Sequence, residues 1–179
     1  MTAPAAAEEF VTVLQGNYEI SADPRVRLTT ILGSCVAVCL YDETARVGGM
    51  NHYLLPVGRD DGTQSLRYGV HAMELLINGL LRTGARRSGL RAKIFGGASM
   101  SAGHAAIGLE NGRWGREFLI NEGFPIMAES LGGTKARRLV MTPATGHVRQ
   151  MIVAPVELPR SEMPGAVPMQ PRKKAVTLF

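Results

Sequence analysis

Hydrophobic residues in this chain recur at two spacings, and the spacing sorts it into helices and strands. Within residues 66–82, Val70, Met73, Leu76, Ile77, Leu80 and Leu81 fall three or four positions apart, the stripe of an amphipathic helix. Gly84 just beyond suits its C-terminal cap. A second helix is predicted over 111–121, with Trp114, Phe118 and Leu119 inward and Gly123 as its stop. Shorter apolar or alternating runs predict strands at 26–29, 36–41, 47–55, 93–95 and 125–128. The run 36–41 is apolar throughout and reads as a buried strand, joined by a turn at 42–46 to the strand 47–55, which Pro56 ends. Residues 138–142 and 148–153 alternate well enough to form a second hairpin around Ala144-Thr145-Gly146. Strands followed by helices followed by strands predict an α+β or mixed α/β sandwich rather than a doubly wound sheet. No repeat at a solenoid period is present.

Composition narrows this picture. The chain has 179 residues, 45% apolar and 20% charged, enough for one domain that buries roughly 70% of its unfolded surface without a metal or disulfide. Residues 1–13 are Ala-rich and weakly patterned, and 155–179 hold five of the ten prolines with Arg172, Lys173 and Lys174. Both ends therefore read as tails around a domain at 14–154. The longest apolar run is far short of the ~18 to 20 residues that cross a bilayer. The N-terminus carries Glu8 and Glu9 where a signal would carry a basic segment and a long apolar one. A cytoplasmic protein without membrane insertion is expected.

The net charge of +5 is unevenly spread. Residues 82–93 carry Arg82, Arg86, Arg87, Arg91 and Lys93, and 130–156 carry Lys135, Arg137, Arg138 and Arg149, neither with much acid nearby. An acidic partner would suit such segments, but they lack the interleaved aromatics of an RNA-binding sheet and the motifs of a DNA-binding domain, so no nucleic acid is expected.

Cys35 and Cys39 match neither a CxxC redox pair nor a zinc cluster. On a strand their Cα atoms would lie about 13 Å apart, too far for a disulfide. Cys39 falls inside the apolar strand and reads as core. Cys35 follows Gly33 and Ser34, a break where backbone N–H groups can point at a bound oxygen, and is the candidate nucleophile. If the 42–46 turn centres on residues 44 and 45, Cys35 faces residues 52–54 across the hairpin. His52 lies in that window, and directly opposed side chains sit about 4.5 to 5.5 Å apart at Cβ, close enough for thiol and imidazole to share a proton. An imidazolium there would lower the thiol pKa from about 8.5 toward neutrality. The bland alternative is a buried His52 bonded to a carbonyl. Thr29, Thr30 and Asn51 are all candidates for orienting the imidazole, Asn51 less so because alternation turns it away from His52. His71, His104 and His147 have no nucleophile fixed beside them, and the four histidines show no metal-binding spacing. No metal or cofactor is expected.

The run Leu32-Gly33-Ser34-Cys35-Val36-Ala37-Val38, then Tyr41-Asp42 and Gly48-Gly49-Met50-Asn51-His52 ending in Leu55-Pro56, resembles the CheD chemoreceptor glutamine deamidases. The likeness continues through Tyr68-Gly69, Lys93-Ile94-Phe95-Gly96-Gly97-Ala98, Ile107-Gly108, Asn111, Gly132-Gly133, Arg137-Arg138 and Thr145-Gly146, covering about residues 15–154. It implies a three-layer α/β sandwich with mixed sheets and a catalytic arrangement similar to those of toxin deamidases and cysteine proteases. It also implies Cys35 as nucleophile, His52 as base and, six residues before the cysteine, Thr29 as the third member. The implied reaction converts glutamine side chains of methyl-accepting chemotaxis receptors to glutamate, with a CheC-type phosphatase as a further partner. Basic stretches at 82–93 and 135–149 would then steer an acidic receptor. A protease, amidase or acyl transferase using the same pair, and an adaptor that only binds receptors or the phosphatase, are the competing expectations.

Overall fold

The computed structural model describes residues 7–55, 63–100, 105–154 and 176–178. Its strands are β1 (Glu9–Thr12), β2 (Tyr18–Ser21), β3 (Val26–Leu32), β4 (Val36–Asp42), β5 (Val47–Asn51), β6 (Arg91–Gly96), β7 (Ile126–Leu131), β8 (Arg137–Thr142), β9 (His147–Ile152) and β10 (Val176–Leu178). Two helices, α1 (Thr63–Arg82) and α2 (Ala105–Asn121), follow β5 and β6. The strands form two mixed five-stranded sheets, ordered β1-β3-β8-β9-β10 and β2-β5-β4-β6-β7.

β4 explains the layering. All seven of its residues are buried, as expected of a central strand covered on both faces. Alternation sends Val36, Val38 and Leu40 to one side, where they pack with Met73, Leu76, Leu80 and Leu119 of the helices. Ala37, Cys39 and Tyr41 point to the other side and meet Leu28, Leu32, Leu139, Met141 and Val148 of the first sheet. Helices, second sheet and first sheet are thus three stacked layers, the sandwich expected of the sequence.

The α1 stripe buries Met73, Leu76, Ile77 and Leu80. Helix α2 starts six residues earlier than its apolar spacing suggests, across an Ala/Gly-rich first turn. No helix of the described residues is long and apolar enough to cross a membrane.

The segment 1–13, read from sequence as a tail, contributes β1, which pairs in parallel with β3, and Val13 is buried in the inter-sheet core. Its sequence hides this because an edge strand with exposed Glu9, Phe10 and Thr12 needs no alternation. At the other end β10 pairs with β9, while residues 155–175 of the expected C-terminal tail lie outside the described residues.

Two residues of the basic stretches are structural. Lys93 is buried, donates to the Gly146 carbonyl at 2.9 Å and lies over the Tyr41 ring. Arg137 is buried and donates to Ser130 and to the Gly132 carbonyl, tying β7 to β8.

Candidate active site

The Gly33-Ser34-Cys35 turn carries the chain from β3 in one sheet to β4 in the other, so Cys35 sits at the corner of the sandwich. Its carbonyls are held from inside the protein. Ala98 N–H donates to Gly33 O and Gly97 N–H to Cys35 O, each at 2.8 Å, while the buried Asn111 donates its side-chain amide to Ser34 O at 3.1 Å. Asn111 also accepts from Leu55 N–H at 2.9 Å, so one residue of α2 braces both the turn before β4 and the segment after His52. Gly96 lies so close beneath that a Cβ there would come within 2.2 Å of Cys35 O, and its φ of +119° suits glycine alone. The three carbonyls of the turn are therefore all accounted for inside the protein.

Register places His52. Cys39 pairs with Met50, and Val36 bridges Tyr53, so paired residues sum to 89, within the expected range. Cys35 is therefore diagonal to His52 rather than directly opposite it. Diagonal neighbours lie about 7 to 8 Å apart and meet through longer side chains. Both residues project toward the first sheet, on the face that carries Ala37, Cys39 and Met50. Asn51 points the other way, accepting from Val38 N–H at 3.0 Å and donating to Ala72 O of α1 at 3.3 Å.

The imidazole is held at one nitrogen and left open at the other. Thr30 Oγ1 donates to Val13 O at 2.8 Å and lies 2.9 Å from His52 Nδ1, which is also 3.3 Å from Val13 O. A carbonyl only accepts, so Nδ1 carries the proton and donates to Thr30 and Val13. Nε2 is then the lone-pair nitrogen. It is buried and has no hydrogen-bond partner among the described residues.

Thr29, the third member implied by the resemblance, is not at the imidazole. Its hydroxyl donates to Leu139 O at 2.9 Å, and its side chain lines an outer-face depression with Phe10, Arg138, Val140, Arg149 and Met151. The reason is strand parity. On β3, Val26, Leu28, Thr30 and Leu32 are buried while Arg27, Thr29 and Ile31 are not, so the inward hydroxyl is that of Thr30. Thr30→Val removes the nearer of the two acceptors for Nδ1–H while keeping the shape, and activity should fall about tenfold or more. Thr29→Val should stay near wild type, with melting temperatures taken on both.

Burial pushes the half-buried Cys35 thiol up from its ordinary value, against a smaller opposing pull from its own N–H, and pushes the His52 imidazole down. Burial thus disfavours both charged forms, the thiolate and the imidazolium, against the lowered thiol pKa expected from sequence. Cys39, fully buried, is pushed up to about 12 by burial and is inert core. Two residues that sequence reasoning passed over belong to the site: Val13, whose carbonyl completes the relay, and Gln15, whose side-chain oxygen accepts from Cys35 Sγ at 3.3 Å.

A sandwich with a thiol and an oriented imidazole at one corner has the parts of a nucleophilic hydrolase. Residues 54–151 match the family model described as CheD chemotactic sensory transduction. The chain is 53% identical over 144 residues, 80% of this chain and 77% of that protein, to a probable chemoreceptor glutamine deamidase CheD 1 of Ruegeria sp. (strain TM1040). It is 49% identical over 159 residues, 87% of either chain, to a probable chemoreceptor glutamine deamidase CheD of Rhizobium meliloti (strain 1021). Over 179 residues, 97% of either chain, it is 44% identical to the protein of that name from Rhizobium etli (strain CIAT 652). This chain belongs to the CheD family. Among solved structures it is similar to the hypothetical protein YfiH of Bacillus licheniformis, at a TM-score of 0.41 and 17% identity over 70% of this chain and 60% of that one.

Proposed function

We propose that the chain is a chemoreceptor glutamine deamidase in which Cys35 attacks the side-chain carboxamide of a receptor glutamine and His52 moves the protons. The observation that carries this is the orientation of His52: Nδ1 is committed to Thr30 and Val13, while the buried Nε2 lacks a partner on the sheet face shared with Cys35. A histidine bonded to a carbonyl for structure alone has no need of a desolvated free lone pair.

The sequence of events follows from that geometry. His52 Nε2 takes the thiol proton as Sγ bonds to the carboxamide carbon, and the resulting imidazolium gives its proton to the departing nitrogen as the C–N bond breaks. Ammonia leaves and a thioester remains. His52, neutral again, draws a proton from water, hydroxide adds to the thioester carbon, and the imidazolium returns the proton to sulfur as the C–S bond breaks. Glutamate and free Cys35 result. Thr30 keeps Nδ1 as the donor nitrogen through both halves.

The partners in this reading are the chemoreceptors' cytoplasmic helices, which places the chain in the cytoplasm; a CheC-type phosphatase would be a second partner. Steering by residues 82–91 is less favoured than their sequence suggests. β6 runs antiparallel to β4 with Arg91 opposite Tyr41 and Gly96 opposite Val36, which puts that end about 20 Å from the Cys35 turn. This exceeds the Debye length of about 8 Å in physiological salt.

Incubation of the purified chain with a receptor cytoplasmic fragment, followed by peptide mass spectrometry, should show specific glutamines converted to glutamate with one ammonia released per conversion. Cleaved receptor chains would mark a protease, and incorporated amine an acyl transferase. An unaltered receptor bound by the chain would leave an adaptor.

A further inference from the structure

The deamidation chemistry needs a donor for the oxygen that becomes negative when sulfur adds to the carboxamide, and most nearby amides are already committed. Val36 N–H donates to Tyr53 O, Gly97 N–H to Cys35 O, Ala98 N–H to Gly33 O and the Asn111 amide to Ser34 O. The Cys35 N–H donates to no backbone carbonyl among the described residues and is one donor left at the point of attack. The other polar group in contact with Sγ is the side-chain carboxamide of Gln15, whose Oε1 lies 3.3 Å away. Its amide nitrogen has no acceptor among the described residues.

The loop carrying Gln15 is built around the base. Val13 O accepts from Thr30 and lies 3.3 Å from His52 Nδ1. Gly16 N–H donates to His52 O at 2.7 Å, and Asn17 O accepts from His52 N–H at 3.0 Å. Hydrogen bonds to residues 13, 16 and 17 therefore fix the segment to His52 on both sides of Gln15, and Gly16, at φ +87°, makes the bend between them. The exposed Gln15 side chain is thus delivered to Cys35 by backbone that is itself pinned to the catalytic histidine.

Resting on the deamidase reading, we infer that Gln15 is a catalytic hydrogen-bond donor, whose side-chain amide holds the Cys35 thiolate and then the oxyanion of the tetrahedral intermediate. While the thiol is neutral, its S–H donates to Oε1. Once His52 has taken that proton, an oxygen beside sulfur is repelled, and a half-turn about the terminal side-chain torsion presents Nε2–H instead. The two atoms are adjacent in one planar group, so the donor reaches either the sulfur or an oxygen on the carbon bonded to it. A receptor segment seated over the corner would exclude water from this exposed carboxamide and strengthen the bond in the complex.

The test uses Gln15→Ala and Gln15→Glu in the full chain, with two readouts. Without substrate, the rate of Cys35 alkylation by iodoacetamide is followed across pH. Both variants should shift the profile to higher pH, Glu further than Ala because a carboxylate opposes the thiolate. With a receptor fragment, Gln15→Ala should lower kcat by about 100-fold, the lower end of the loss for a deleted oxyanion donor, with KM changed little. Gln15→Glu should fall at least as far. Unchanged melting temperatures establish that folding is intact. A Gln15→Ala protein with wild-type or higher kcat and an unshifted profile would overturn the inference and make the carboxamide a dispensable occupant. If the wild type leaves receptors unaltered, the deamidase reading fails on its own, and the alkylation profile still reports whether Gln15 supports the thiolate.

Discussion

With Cys35 replaced by alanine, glutamine conversion on a receptor fragment should drop below detection while the melting temperature stays within a few degrees of wild type. The turn that holds residue 35 is fixed by its backbone carbonyls, through Gly97, Ala98 and Asn111, and the side chain takes no part in that bracing. Cys39→Ala is the matched control. It removes a sulfur from the inter-sheet core at a cost of about 1 to 2 kcal/mol and should keep its activity per folded molecule. A dead but folded Cys39→Ala beside an active Cys35→Ala would move the nucleophile to Cys39 and overturn the assignment.

Replacing His52 by alanine should cost about 10²- to 10⁴-fold in kcat, since one residue supplies both proton transfers. Iodoacetamide should also alkylate Cys35 more slowly near neutral pH, because the thiol has lost its acceptor. The same two groups set the wild-type pH profile. The reactive pair holds one proton between sulfur and imidazole. Lowering the pH adds a second proton at His52, and burial holds that event below the ordinary 6.5. Raising the pH removes the shared proton from the thiol, and burial holds that event above the ordinary 9.0. Turnover should be flat between those limits, falling on the acid side below and on the alkaline side above. An alkaline limb that falls well inside that plateau, at about pH 7 to 8, would show that the thiol is ionised at rest.

The apolar pattern carried most of the fold and part of the site. The α1 stripe and the apolar run 36–41 of β4 are legible from their pattern alone, and the hairpin of β4 with β5 brings Cys35 and His52 to one end of one sheet. Thr30 was not separable from Thr29 on the same grounds. Parity shows that the two face opposite ways, but which way is inward depends on where the second sheet packs. The six-residue offset implied by resemblance selected the outward one. β1 and β2 were silent for a different reason: each is four residues long and sits at a sheet edge, where pairing with a neighbour rather than apolar alternation makes the strand. Gln15 had no signal at all. An exposed glutamine in a loop acquires meaning only when backbone bonds to residues 13, 16 and 17 show what it is aimed at.

The burial that pushes the Cys35 thiol up has a bearing on how long the protein lasts. Peroxide and other oxidants attack the thiolate, and the first product, a sulfenic acid, leads on to forms that no longer return to the thiol. A corner cysteine kept ionised would be exposed to that damage throughout the intervals between receptor encounters. At Cys35 burial disfavours the charged thiolate, and in the proposed reaction the charge arises as His52 accepts the proton during attack. The same desolvation that delays ionisation would also preserve the pool of competent molecules.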